Sequence, residues 1–165
     1  MKPLIALHLA VMDNCQGSHH NLIHLTKVHA LARLIGQMEG LDSRTQEILE
    51  AAALIHDIAC PALRKRLGKA PWDLQELEGP PLAEEAMRFS GFDQDAINRV
   101  SFLVAHHHQW DKVDGMDYQI LLEADFLVNA QEKQVEHERA RRVAAGMFKT
   151  QSGLALLDLY YPTVT

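Results

Sequence analysis

Three features of the chain predict an all-α protein. Apolar residues recur at three- and four-residue spacing through nearly its whole length, as at Leu22, Leu25, Val28, Leu31, Ala32 and Ile35. Alternating apolar and polar runs of the strand type are absent. Gly, Pro and short polar clusters cut the periodic stretches into segments of helical length.

The first helix is expected over about 4–13. Its "LIALHLAVM" is interrupted by His8 and followed by Asp13 and Asn14 rather than by the small residues of a cleavage site, so it reads as part of the mature chain. A second helix covers about 18–38. The third, 43–59, opens with Ser43 and Gln46 at capping-box spacing and is followed by Pro61. Residues 60–80, "CPALRKRLGKAPWDLQELEGPP" with its neighbours, carry enough Pro, Gly and charge to read as a long irregular segment, the kind that borders sites. Helices are then expected near 81–90, 94–107, 117–130, 138–148 and 152–160, and "YYPTVT" reads as a short tail.

With 165 residues the chain suits a single domain, 1–165, able to bury its own core without staples. Its 47% hydrophobic and 23% charged content are those of a folded globular protein. The net charge of −6 provides no basic footprint for a nucleic-acid polymer or an anionic membrane, which leaves small molecules as the expected partners; self-association is open. No apolar run approaches the roughly 20 residues that span a bilayer. Two cysteines, Cys15 and Cys60, are too few for a disulfide framework, so the expected compartment is the cytoplasm and both thiols are expected in or near the core.

The chemistry lies in histidine and aspartate. His20 and His24 are four apart and share a face of the second helix. His56 and Asp57 stand together in the apolar run "AALIHDIAC", where no Lys or Arg pairs the carboxylate. His106, His107 and His108 close an apolar helix, and consecutive positions point to different sides, so at most two serve one centre. Asp125 sits inside "QILLEADFLVNA", two residues after Glu123, which must face elsewhere. A chance scatter of ten histidines and eleven aspartates gives about 0.7 His-Asp neighbours, so the dipeptide alone is uninformative. Four apolar elements that each deliver His or Asp are explained together by one shared metal site. Imidazole and carboxylate donors without thiolate favour Mn, Fe, Co, Ni, Mg or a catalytic Zn.

Taken in order, His24, His56-Asp57 and Asp125 resemble the HD-domain superfamily of metal-dependent phosphohydrolases. "HLTKVHALA" is similar to that family's His-xx-Arg-Val-xxx-Ala helix, with Lys27 in the basic position; "AALIHDIA" matches its second motif and "LLEADFLVN" the stretch with its last aspartate. The resemblance covers about 20–130 and leaves helices 138–160 outside it. It implies a compact helical bundle with a metal site between helices. In such a bundle His24, His56, Asp57 and Asp125 hold one divalent ion, and Asp57 bridges to an optional second.

"HHHQWDKVDG" is similar to the His pair of binuclear members, which places His107 and His108 at a second ion or just outside the first. Where those members carry a histidine before a Pro-containing helix, this chain has Glu78 and Gly79, and Glu78 is the substitute oxygen donor; His20 is a further optional ligand. The implied reaction is hydrolysis of a phosphate ester of a nucleotide or other small phosphorylated metabolite by a metal-activated water. Asp57 and His107 are the expected catalytic residues, and His106 is an available acid or base. Ala59 and Cys60 stand where many members have Gly and Lys, so Lys27, Arg64 and Lys65 become the candidate phosphate-binding cations. Two other classes share the scaffold: di-iron oxygenases, which need a full six-ligand set, and binding modules that keep the ligands without turnover.

Overall fold

A computed structural model describes residues 1–15 and 17–163. The chain runs through α1 (Pro3–Asn14), α2 (His19–Met38), α3 (Ser43–Ile55), α4 (Cys60–Leu67), α5 (Trp72–Ser90), α6 (Gln94–His106), a 3-10 turn at Trp110–Lys112, α7 (Met116–Glu132), α8 (His137–Ala144) and α9 (Gln151–Tyr160). Among the described residues there is no strand, and the protein is all-α as its periodicity predicts. No described helix is long and apolar enough to cross a membrane.

Helix α3 is the hub. Every residue from Leu49 to Ile55 is buried, and α3 packs on α1, α2, α6 and α7. The run Ala51-Ala52-Ala53 makes this possible, because methyl side chains let four neighbours approach one helix closely. Asp42, rather than a Ser43–Gln46 capping box, starts the helix: its carboxylate accepts from the Arg44 and Thr45 amides, and Gln46 turns instead to Glu50 and the Arg33 carbonyl. Asp serves as well as Ser at an N-cap and sits one residue earlier. The helix also stops four residues before the expected 59. His56 is its C-cap, and residues 56–59 form a tight turn, held by the Asn14 side-chain amide donating to the Ile58 carbonyl at 3.2 Å.

The segment 60–80 is helical, against expectation. Pro61 occupies the first turn of α4, where no backbone N–H is needed, and Gly68 ends that helix in the left-handed conformation at φ +72°. Pro80 and Pro81 lie inside α5, which continues through them. That helix is braced by α1 and α6, and Gly79 faces Val104 so closely that a β-carbon would stand 2.8 Å from it. Packing overrides the local penalty of the two prolines.

Two polar devices lock the ends. Arg99 forks onto Asp117 and Asp114, pinning the start of α7 to α6. Glu123, fully buried, accepts from Gln119, the Lys149 and Thr150 amides and the Thr150 hydroxyl, and so docks the start of α9. Gly153 is required at that contact, since a β-carbon there would collide with the Glu123 carboxylate. Cys15 and Cys60 are both buried thiols. Glu123→Ala strands several buried donors at once and is expected to cost about 3 kcal/mol or more in chemical denaturation, with Glu123→Gln losing less.

Candidate metal centre

Four helices deliver the donors. His24 comes from the second turn of α2, His56 and Asp57 from the turn that ends α3, His107 from the C-cap of α6 and Asp125 from α7. The donor atoms of His24, His56 and Asp57 lie within 4.8 Å of one another, a group that could hold a metal ion. Asp125 Oδ1 is 3.2 Å from His24 Nε2 and 3.4 Å from His56 Nε2, and those two nitrogens are 3.4 Å apart. Bonds of about 2.1 Å to one ion place neighbouring donors about 3.0–3.4 Å apart, so the spacing suits a shared cation. Asp57 faces three imidazoles: Oδ2 lies 3.8 Å from His24, and Oδ1 lies 3.9 Å from His56 and 3.4 Å from His107.

Each ring is turned the same way by an acceptor behind it. His56 Nδ1 donates to the Ala53 carbonyl at 3.1 Å, His107 Nδ1 to the Val104 carbonyl at 2.8 Å, and His24 Nδ1 to Glu132 Oε2 at 3.0 Å. With the Nδ1 protons engaged, the three Nε2 atoms point inward, the orientation a metal-ligating histidine needs. His107 Nε2 is buried and, despite its proximity to Asp57, makes no hydrogen bond. An orphaned buried imidazole nitrogen beside a carboxylate fits a site built for a cation.

Electrostatics agree. Burial works against ionisation of Asp57, but the facing charges of His56, His107 and His24 outweigh it and hold the carboxyl well below the usual range. Asp125 is likewise held low, against burial, by His24 and His56. Burial also opposes charge on His24, yet Asp125, Asp57 and Glu132 push its pKa up to about 9. Asp57 raises that of His107 against the same penalty. Two carboxylates thus attract positive charge into a buried pocket.

Asp57 and Asp125 of this cluster open onto a cleft of about 300 Å³ lined also by His20, Arg64, Gln75, His108, Asn129, Glu132 and Lys133, with Ala70 the single apolar wall. Of the other expected residues, His108 lines the cleft with its Nδ1 3.5 Å from Glu76. His20 stands at the rim, 63% exposed and 3.9 Å from Glu132. Arg64 donates to Asn21 at the wall.

Four expected residues are not brought to the cleft. Glu78 is paired with Arg66 at 2.7 Å, because the helical course of α5 turns it outward. Lys27 is tied to Gln131 and Glu132 behind His24, and Lys65 is exposed outside the cleft lining. His106 donates to the Phe102 carbonyl and stacks on the Phe102 ring.

Several contributors went unnoticed in the sequence. Asn129 donates to Asp125 at 2.8 Å and Glu132 orients His24; with Asp125 they form an i, i+4, i+7 polar stripe on an otherwise apolar helix, a signal the sequence does carry. Gln75 and Glu76 were hidden by reading 60–80 as irregular.

Because His24 holds a proton up to about pH 9, that proton must leave when a metal enters. Metal affinity is therefore expected to rise about tenfold per pH unit from pH 6 to 8 and to flatten above 9, with proton release visible in calorimetry in two buffers of different ionisation enthalpy. Glu132→Gln, which leaves His24 in place but weakens its orientation, is expected to lower affinity about 10- to 100-fold. No family model, curated protein or solved structure matches the chain, and its chemistry is read from this geometry.

Proposed function

We propose that this chain is a metal-dependent phosphohydrolase that cleaves a phosphate ester of a small metabolite, with nucleotides the leading class, in keeping with its resemblance to the HD-domain superfamily. The observation that carries the reading is a cleft with a cation-seeking floor and cationic walls. Asp57 and Asp125 lie at its base, with the buried imidazoles of His24, His56 and His107 against them, and Arg64 and Lys133 line its sides. A ligand that satisfies both ends is an anion able to touch a metal and a guanidinium together.

His24, His56, Asp57 and Asp125 would hold the divalent ion, with His107 completing the set or serving a second one beside Asp57. The bound ion supplies a water acidic enough to attack at neutral pH and a charge that polarises the phosphoryl group. The chain's own residues do the rest. Arg64, steadied by Asn21, and Lys133 bind the non-bridging oxygens and orient the ester. His108 takes over the proton role expected of His106: burial first, and then the charge of His107, lower its pKa to about 4, and Glu76 braces its Nδ1, so a neutral ring faces the cleft. Donors limited to nitrogen and oxygen leave Mn, Fe, Co, Ni, Mg and Zn as the candidate ions.

A panel of nucleoside monophosphates and sugar phosphates, assayed with each of these metals, is expected to show phosphate release. Asp57→Asn should lower kcat/KM at least about 10³-fold, and Arg64→Gln should raise KM about tenfold with metal content unchanged. Absence of release with every metal, or dioxygen consumption by the iron-loaded protein in its place, would contradict the proposal.

A further inference from the structure

The cleft that would hold the phosphate is too polar to hold a base. Its walls are imidazole, carboxylate, amide, guanidinium and ammonium groups, with only the Ala70 methyl among them. A nucleobase needs a flat apolar surface, and such surfaces are aromatic rings. One lies beside the cleft. Trp72, the first residue of α5, is 60% exposed, and its ring stands 6.5 Å from that of His108 at an interplanar angle of 63°.

Two features separate Trp72 from an incidental surface residue. His108 is a wall of the cleft and holds the indole in ring contact, and Ala70, two residues before Trp72 in the chain, is another wall. The position is also close enough. The His107 and His108 rings are 3.9 Å apart, so the Trp72 ring lies no more than about 10 Å from the His107 ring. A pentose between a phosphate and its base spans a gap of that scale. The other tryptophan, Trp110, is half-buried and packs against the core, and Phe102 is engaged by His106.

We infer that Trp72 is the stacking platform for the base of the substrate, which makes the substrate a nucleoside phosphate rather than a sugar phosphate. The inference rests on the phosphohydrolase reading for the position of the phosphate. With the phosphoryl group on the cleft floor and its oxygens on Arg64 and Lys133, the sugar leaves past His108 and the base lies on the open indole face. Stacking is tolerant of base identity, because every base has a π-face. The structure thus assigns preference for a base to Trp72, and leaves the choice among bases to groups beyond it.

The test uses the Mn²⁺-loaded full chain carrying Trp110→Phe, in which Trp72 is the one remaining indole of the two. Hydrolysis-resistant phosphonate analogues of adenosine 5′-monophosphate and of ribose 5-phosphate serve as probes, read by tryptophan fluorescence and calorimetry. The adenosine analogue should quench Trp72 and bind about tenfold more tightly than the ribose analogue. Trp72→Ala should bring it down to the affinity of the ribose analogue with metal content intact, and Trp72→Phe should restore most of the preference.

Equal affinities, or an adenosine preference that survives Trp72→Ala, would overturn the inference and leave the phosphohydrolase reading standing wherever ribose 5-phosphate is hydrolysed. Binding of neither analogue would overturn both.

Discussion

Two buried carboxylates and three imidazole nitrogens face one another with no Lys or Arg among them. Asp57 and Asp125 have side chains only 15–16% exposed, and around them stand His24, His56 and His107. They hold one another charged against the penalty of burial: the imidazoles keep both carboxyls low, and the carboxylates keep a proton on His24. Glu123 shows what the same fold does with a carboxylate that needs no ion. There, backbone amides, a hydroxyl and a side-chain amide occupy the oxygens. Asp57 has no such set of donors. The protein gathers its carboxylates and imidazoles at one point, charged against one another, in a group that could hold a metal ion.

The rest of the architecture serves this point. A helix buried along seven residues carries His56 and Asp57 at its end, so the central ligands hang from the most constrained element in the molecule. The Tyr118 hydroxyl lies 2.5 Å from the His106 carbonyl and 2.7 Å from that of Gln109, bracing the bend in which His107 turns inward and His106 outward. Arg99 fixes the start of the helix that brings Asp125. Behind the rings, two carbonyls and Glu132 choose the tautomer. Preorganisation of this kind holds the Nε2 atoms in the orientation a metal would need.

Much of this was legible in the sequence, for reasons that differ by residue. The helical class follows from periodicity, and the residues that come together follow from polar positions placed against it, as with Asp125 in an apolar helix. Asp125, Asn129 and Glu132 could have been read together, since i, i+4, i+7 spacing is visible without coordinates. The segment 60–80 was not legible, because three prolines and two glycines outweigh a helical pattern locally while packing against α1 and α6 decides it globally. The irregular reading concealed Glu76, while Glu78, named from the resemblance, is turned outward by the helix to Arg66. Periodicity alone does not say which of three adjacent histidines turns inward; the resemblance points to His107 and His108, and in the fold Tyr118 and nearby carbonyls set the turn.

The central claim, that these residues hold one cation between them, is met most directly by anomalous diffraction from crystals of the protein grown with Mn²⁺. The account predicts a peak at coordination distance, about 2.1 Å, from the Nε2 atoms of His24 and His56 and from carboxylate oxygens of Asp57 and Asp125. A well-ordered cluster with no peak among these atoms, or a peak bound only elsewhere on the molecule, would contradict it.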